Sequence, residues 1–230
     1  MKTEKTIGIL LIVGVIGIFV PYTILTMIFE YPTILRQDTG TILVKFYNGG
    51  NTLIWTWWAF AILGLPILEA CILIGQKLES KFYFVRWATI LGVIGLMVQV
   101  LGLLRWTFVV PVLAKDFVLG NEMTKEAVTV AFKVVHQYGG IILGEHIGQL
   151  FTIGWTVMIT SAFEKLKLFP KWIIWLGYAA SIIYLFAQAG LFSTVIPNFP
   201  VWNIAGFLGS TLWLIWLLII GFKFIKTEIR

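Results

Sequence analysis

The sequence predicts an all-α protein, a bundle of six transmembrane helices with both termini in the cytosol. Three observations predict it. First, 59% of the 230 residues are apolar, only 12% are charged, and the mean hydropathy is +0.94. A water-soluble domain of this size needs about a quarter of its residues charged. Second, the apolar residues come in unbroken runs long enough to cross roughly 30 Å of hydrocarbon. Continuous rather than alternating runs point to helices and away from a β-barrel. Third, the basic residues are distributed unevenly between alternate loops, which sets direction.

The runs lie at about 7–29, 52–75, 86–112, 128–163, 172–193 and 201–225. The first follows Met1 to Lys5; it is too long for the apolar core of a signal peptide, and no small-residue cleavage site ends it. It reads as a retained first span. The connections carry turn signals: Tyr31-Pro32 and Asn48-Gly49-Gly50, then Gly120-Asn121, then Pro197-Asn198-Phe199-Pro200. The fourth run exceeds what a bilayer needs, so its first two turns project beyond the lipid. No internal repeat or linker divides the chain, which reads as a single transmembrane domain over 1–230.

One set of loops, with the termini, holds Lys2, Lys5, Lys77, Lys81, Arg86, Lys165, Lys167, Lys171, Lys223, Lys226 and Arg230. The other set, with the start of the fourth run, holds Arg36, Lys45, Lys115, Lys125 and Lys133. Eleven against five places both termini on the cytosolic side. The formal charge of +6 is therefore an orientation signal, and nucleic acid is not the partner; the lipid bilayer is. The one cysteine, Cys71, excludes an internal disulfide or a cysteine-rich metal site. It reads as a small buried hydrophobe. Tryptophans 55, 57, 58, 106 and 202 near one face, and 87, 172 and 175 near the other, read as interface anchors.

Polar residues inside hydrocarbon are costly and need a reason. Depth follows from counting along each helix at about 1.5 Å per residue. Arg105 lies roughly 28 Å above Arg86, and Glu145 roughly 27 Å above Phe163. Tyr22, Gln188 and Asn203 fall between roughly 24 and 29 Å, and His146 adjoins Glu145. These groups form one layer in the outer part of the membrane, which predicts a polar pocket open to the extracytoplasmic side. Arg105 and Glu145 are the natural ion pair there, either as a structural latch or as part of a site.

The fourth run is the most informative. Gly140, Gly144 and Gly148 recur every fourth residue, a stripe where another helix can approach closely. Glu145, Gln149, Thr152 and Thr156 continue beside it, either as a polar path or as interhelical hydrogen bonding. His136 and His146 are ten residues apart, roughly 15 Å along an α-helix, and cannot share a metal ion. Neither HExxH nor HxxEH occurs, because position 142 is Ile. No metal site is assigned and no cofactor is identified. Each histidine reads as structural, proton-handling or ligand-binding. Glu69 stands apart, one turn after Pro66, either as a carboxylate near a wet vestibule or as a cytosolic gate beside a proline-induced kink.

Arg105-Trp106 through Val110-Pro111, His136 with Gly140, Gly144-Glu145 and Gly148, and Tyr31-Pro32 through Leu35-Arg36 resemble a bacterial membrane family catalogued as domain of unknown function 4386. The likeness runs over nearly the whole chain. It implies a multi-pass protein of the bacterial inner membrane and carries no activity with it. The residues themselves leave three functions open. The first is binding or transport of a small polar or anionic ligand at Arg105, Glu145, His146 and Gln188, with a homo-oligomer supplying any missing wall. The second is a membrane-embedded enzyme acting on a lipid or apolar substrate, with Glu145 and His146 as acid and base. The third is a partner or sensor subunit without chemistry.

Overall fold

A computed structural model describes residues 3–226. Lys2 and Arg230, two of the basic residues used for orientation, lie outside the described residues. Among the described residues there is no strand, and six helical stretches are long and apolar enough to cross a membrane: Thr3–Phe29, Thr39–Leu78, Phe84–Leu119, Glu122–Lys165, Lys171–Phe192 and Ala205–Lys226. The helices are α1 (Thr3–Phe29), α2 (Thr39–Ile62), α3 (Leu65–Leu78), α4 (Phe84–Phe108), α5 (Val110–Leu119), α6 (Glu122–Val135), α7 (Gly148–Lys165), α8 (Lys171–Phe186), α9 (Gln188–Phe192) and α10 (Ala205–Lys226). A 3₁₀ turn covers Thr33–Arg36, and a twelve-residue π-helix, His136–Ile147, joins α6 to α7.

Three stretches are much longer than their sequence runs. The second starts at Thr39 because Asn48-Gly49-Gly50, expected as a loop, is a kink inside a helix. Gly50 takes φ 54° and ψ −148°, a conformation that only glycine adopts readily, and helix continues on both sides. Asp38 caps the start, accepting the Thr41 amide at 2.9 Å and its hydroxyl at 2.5 Å. Those two bonds hold its carboxyl below the usual carboxylate range. The third stretch does not stop at Pro111. α4 ends at Phe108, and Pro111 sits in the first turn of α5, where its missing N–H costs nothing. Asn121 then caps α6 through the Thr124 amide at 3.0 Å. The break ahead of Pro66 falls where expected, between Ile62 and Leu65.

The fourth stretch departs furthest from a continuous α-helix. From His136 to Ile147 the hydrogen-bond ring is one residue wider. Each turn holds more residues, so the rise per residue is smaller than in an α-helix.

The helices sort into two compact units. Unit 1 takes the chain up to Val15, Leu65–Val98 and the chain from Glu145; unit 2 takes Ile16–Gly64 and Gln99–Gly144. Inside unit 1, α8 packs on α7 and α10, and Phe163, Phe169, Phe224 and Trp216 form an aromatic core with ring centres 4.9–6.4 Å apart. Cys71 is buried there, and a Cβ on Gly92 would lie 2.7 Å from its sulfur. Inside unit 2, α2, α5 and α6 pack together over Leu25, Phe29, Phe46, Trp57, Trp106 and Phe132.

Two of the tryptophans expected at the interface belong to this core. Trp57 and Trp106 are fully buried, whereas Trp55, Trp87, Trp172, Trp175 and Trp202 are exposed. Side-chain type alone does not separate the two roles, since an indole suits either a wet interface or an aromatic core.

Lipid is as apolar as leucine, so close approach of small residues replaces the hydrophobic drive between helices. In unit 2 a Cβ on Gly102 would lie 2.7 Å from the Gly139 carbonyl oxygen and 2.9 Å from the Gly144 Cα. In unit 1 a Cβ on Gly95 would lie 3.0 Å from the Gly148 carbonyl oxygen. The glycines of the fourth stretch thus face glycines on α4, in keeping with the packing stripe. Gly102→Ala is expected to destabilise by about 1–3 kcal/mol, because backbone must yield. Gly206→Ala, whose new methyl would meet only the Ala187 Cβ at 3.7 Å, should be neutral or slightly stabilising. Thermal unfolding of both variants in one detergent checks the contrast.

Candidate functional site

In unit 1, three side chains from two stretches form a hydrogen-bonded chain. Gln188 Nε2 donates to Gln149 Oε1 at 2.8 Å, and Gln188 Oε1 lies 2.7 Å from His146 Nδ1. The backbone explains the convergence. His146 lies at the end of the π-helix, Gln149 in the first turn of α7, and Gln188 starts α9 just after helix α8 breaks at Ala187. Gln188 is only 6% exposed, so an unsatisfied amide there would be costly, and both of its ends are satisfied.

The polarity of the chain sets the imidazole. Gln188 gives its N–H to Gln149, which leaves its oxygen toward the ring, so His146 Nδ1 donates. In the neutral ring Nε2 then carries the lone pair. Phe192 stands edge-on to the imidazole at 5.9 Å. Glu145 precedes His146 and lies near enough to Tyr184, on α8, to act on it electrostatically. Tyr184 was not singled out in the sequence, and its place beside the group depends on the break at Ala187 that separates it from Gln188.

Further along α7 the polar face closes. Thr156 is fully buried, donates to the Thr152 carbonyl at 2.8 Å and accepts the Trp213 indole N–H at 2.9 Å. At Thr156 the face is interhelical bonding, which is the plainer of the two expectations.

In unit 2, Arg105 is 8% exposed. Its guanidinium donates to the Gly102 carbonyl and stands 5.3 Å from the Trp106 ring centre. Gly140 makes room for it: a Cβ there would lie 2.5 Å from Arg105 Nη2. His136 stacks on Phe132 at 5.4 Å and meets Trp106 edge-on at 6.2 Å. Tyr22 packs edge-on against Tyr31 at 5.5 Å within the same unit.

The remaining candidates lie elsewhere. Asn203, expected on the last span, falls in the turn ahead of α10 and is exposed. Glu69 is exposed on α3, one turn beyond Pro66. Among the described residues no group of three or more His, Cys, Asp or Glu side chains is gathered to hold a metal ion.

The model of a family described as Domain of unknown function (DUF4386) matches residues 6–221. It spans the residues of both units. No curated protein and no solved structure matches the chain.

The Arg105–Glu145 pairing expected from the sequence joins residues assigned to different units, and a double-mutant cycle tests it. If the expected pairing forms, Arg105→Met and Glu145→Gln should each destabilise the protein. The double variant should recover part of that loss. Strictly additive losses in denaturant titrations would rule the pairing out.

Proposed function

We propose that this chain, which belongs to the DUF4386 family, binds a small polar or anionic solute within the membrane, as a binding or transport protein, with His146 as the group that meets it. The observation that carries this reading is the Gln149–Gln188–His146 chain. Two amides aligned behind an imidazole fix its ring and tautomer. The neutral ring accepts from a solute hydroxyl or amide at Nε2. The protonated ring donates there to an anion, so one side chain serves both members of the ligand class.

Irregular helix at both contributing stretches supports the same reading. π-turns concentrate at functional sites, and non-helical backbone within a membrane is tolerated where it borders protein or a wet cavity. The Gln149–Gln188–His146 chain lies toward the extracytoplasmic side of a bacterial inner membrane, with both termini cytosolic. Nine basic residues of unit 1, from Lys5 through Lys226, support that orientation. At that end the Lys165 ammonium stands 5.0 Å from the Phe84 ring and 5.6 Å from the Phe82 ring.

Purification in mild detergent followed by mass spectrometry of co-eluting small molecules tests the binding reading. Wild-type protein should carry a polar metabolite at near-stoichiometric level, and His146→Leu and Gln188→Leu should lose it. An empty wild-type protein that instead elutes with a second polypeptide would favour a partner subunit. Orientation has its own check. A cysteine introduced at Asn198, in a Cys71→Ala background, should react with a membrane-impermeant maleimide from outside intact cells. Protection there, with reaction in inverted vesicles, would reverse the topology.

A further inference from the structure

Unit 2 holds two buried indole donors without a hydrogen-bond partner, beside an imidazole whose bonding is poor. The indole N–H groups of Trp57 and Trp106 have no hydrogen-bond partner, although both rings are fully buried. Neither ring nitrogen of His136 makes a hydrogen bond of ordinary geometry; the backbone group acting on it is that of Leu35. These groups are neighbours. Trp57 stacks on Trp106 at 4.8 Å and 11°, Phe46 stacks on Trp106 at 5.7 Å, and His136 stands edge-on to it at 6.2 Å. Phe29 and Phe132 also meet the Trp106 ring edge-on, at 5.5 and 6.2 Å, so its indole N–H sits in an aromatic setting.

The donor inventory decides what belongs there. An indole nitrogen donates only, a guanidinium donates only, and a neutral imidazole carries one N–H. The two indoles therefore call for an acceptor. Cations stand close by: the Arg105 guanidinium lies 5.3 Å from the Trp106 ring centre, and both Arg105 and Arg36 act electrostatically on His136. Buried tryptophans elsewhere show that the fold can satisfy an indole when it needs to. In unit 1, Trp213 donates to Thr156 at 2.9 Å and Trp216 to the Ile173 carbonyl at 3.1 Å, while Trp155 is a lone exception. Native proteins rarely leave several buried donors side by side unsatisfied.

We propose that the cluster of Trp57, Trp106 and His136, in the field of Arg105 and Arg36, binds a small monovalent anion, either a halide or a short carboxylate. The site is independent of the solute reading above, since it uses no residue of unit 1. It also differs from phosphate sites, which draw on backbone amides at helix starts. Here side-chain N–H groups in an aromatic setting favour a weakly hydrated ion of low charge.

The test is indole nuclear magnetic resonance on the full chain in detergent micelles, with ¹⁵N-labelled tryptophan. The sequence has 11 tryptophans, and Trp57→Phe and Trp106→Phe each remove one cross-peak and so identify it. Sodium chloride and sodium formate are titrated separately against sodium gluconate at constant ionic strength; gluconate serves as the bulky control. Both indole protons should move downfield along one saturating curve for chloride or for formate. The Trp213 and Trp216 protons, already bonded, should stay in place. Arg36→Gln, at an exposed residue, should weaken the apparent Kd several-fold while leaving the spectrum otherwise intact. A halide response without a formate response, or the reverse, names the source. The proposal is overturned if neither indole moves, if gluconate moves them equally, or if they show exchange contacts with water and no dependence on the anion. Should Trp106→Phe fail to fold, Trp57→Phe and the shared wild-type curve still decide.

Discussion

Inside a bilayer a backbone N–H or C=O has no water to turn to, so a chain that crosses must satisfy these groups within itself. This constraint explains the helical stretches, and it also makes every departure from regular helix informative. Within the apolar stretches the described chain departs at Gly50, between Ile62 and Leu65, at Val109, through His136–Ile147, and at Ala187. Gly50 and the break ahead of Pro66 are punctuated by residues with special backbone preferences. The last two carry no proline, and it is these that position the half-buried His146 and Gln149 and the buried Gln188.

Packing follows from the same solvent. Because lipid offers no hydrophobic reward for joining helices, contact depends on how closely backbones approach. Gly102 against Gly139 and Gly144, and Gly95 against Gly148, are such approaches. Gly140 has a different office, since the space of its missing side chain is filled by the Arg105 guanidinium. One run of glycines therefore serves two purposes, helix contact and the seating of a cation.

Much of the fold could be read from residues alone. Apolar runs announce spans because their length and composition are themselves the physical requirement. Span ends are harder to read. Residues 39–49 form helix with Ile42, Leu43 and Phe46 buried, but the Thr and Gly around them dilute the pattern. The π-helix is not legible, because π and α turns use the same donors and acceptors and differ only in which residue pairs with which. His146 and Gln188 were recognisable as polar groups at similar depth, yet their direct contact depends on the break at Ala187, which no residue type signals. Trp57 and Trp106 were misplaced for a related reason: an amphipathic ring near a span's end fits a membrane surface as well as an aromatic interior.

The wide helix between α6 and α7 has one more effect. An α-helix presents its faces at a fixed angular step, so a stretch of 44 residues would tie the orientation of its first turn to that of its last. Adding a residue to each ring resets that angle without interrupting the ladder. The stretch before His136 can therefore be phased to one set of neighbours and the stretch after Ile147 to another. A single crossing strand of chain thus behaves as two helices with separately chosen bearings, coupled end to end.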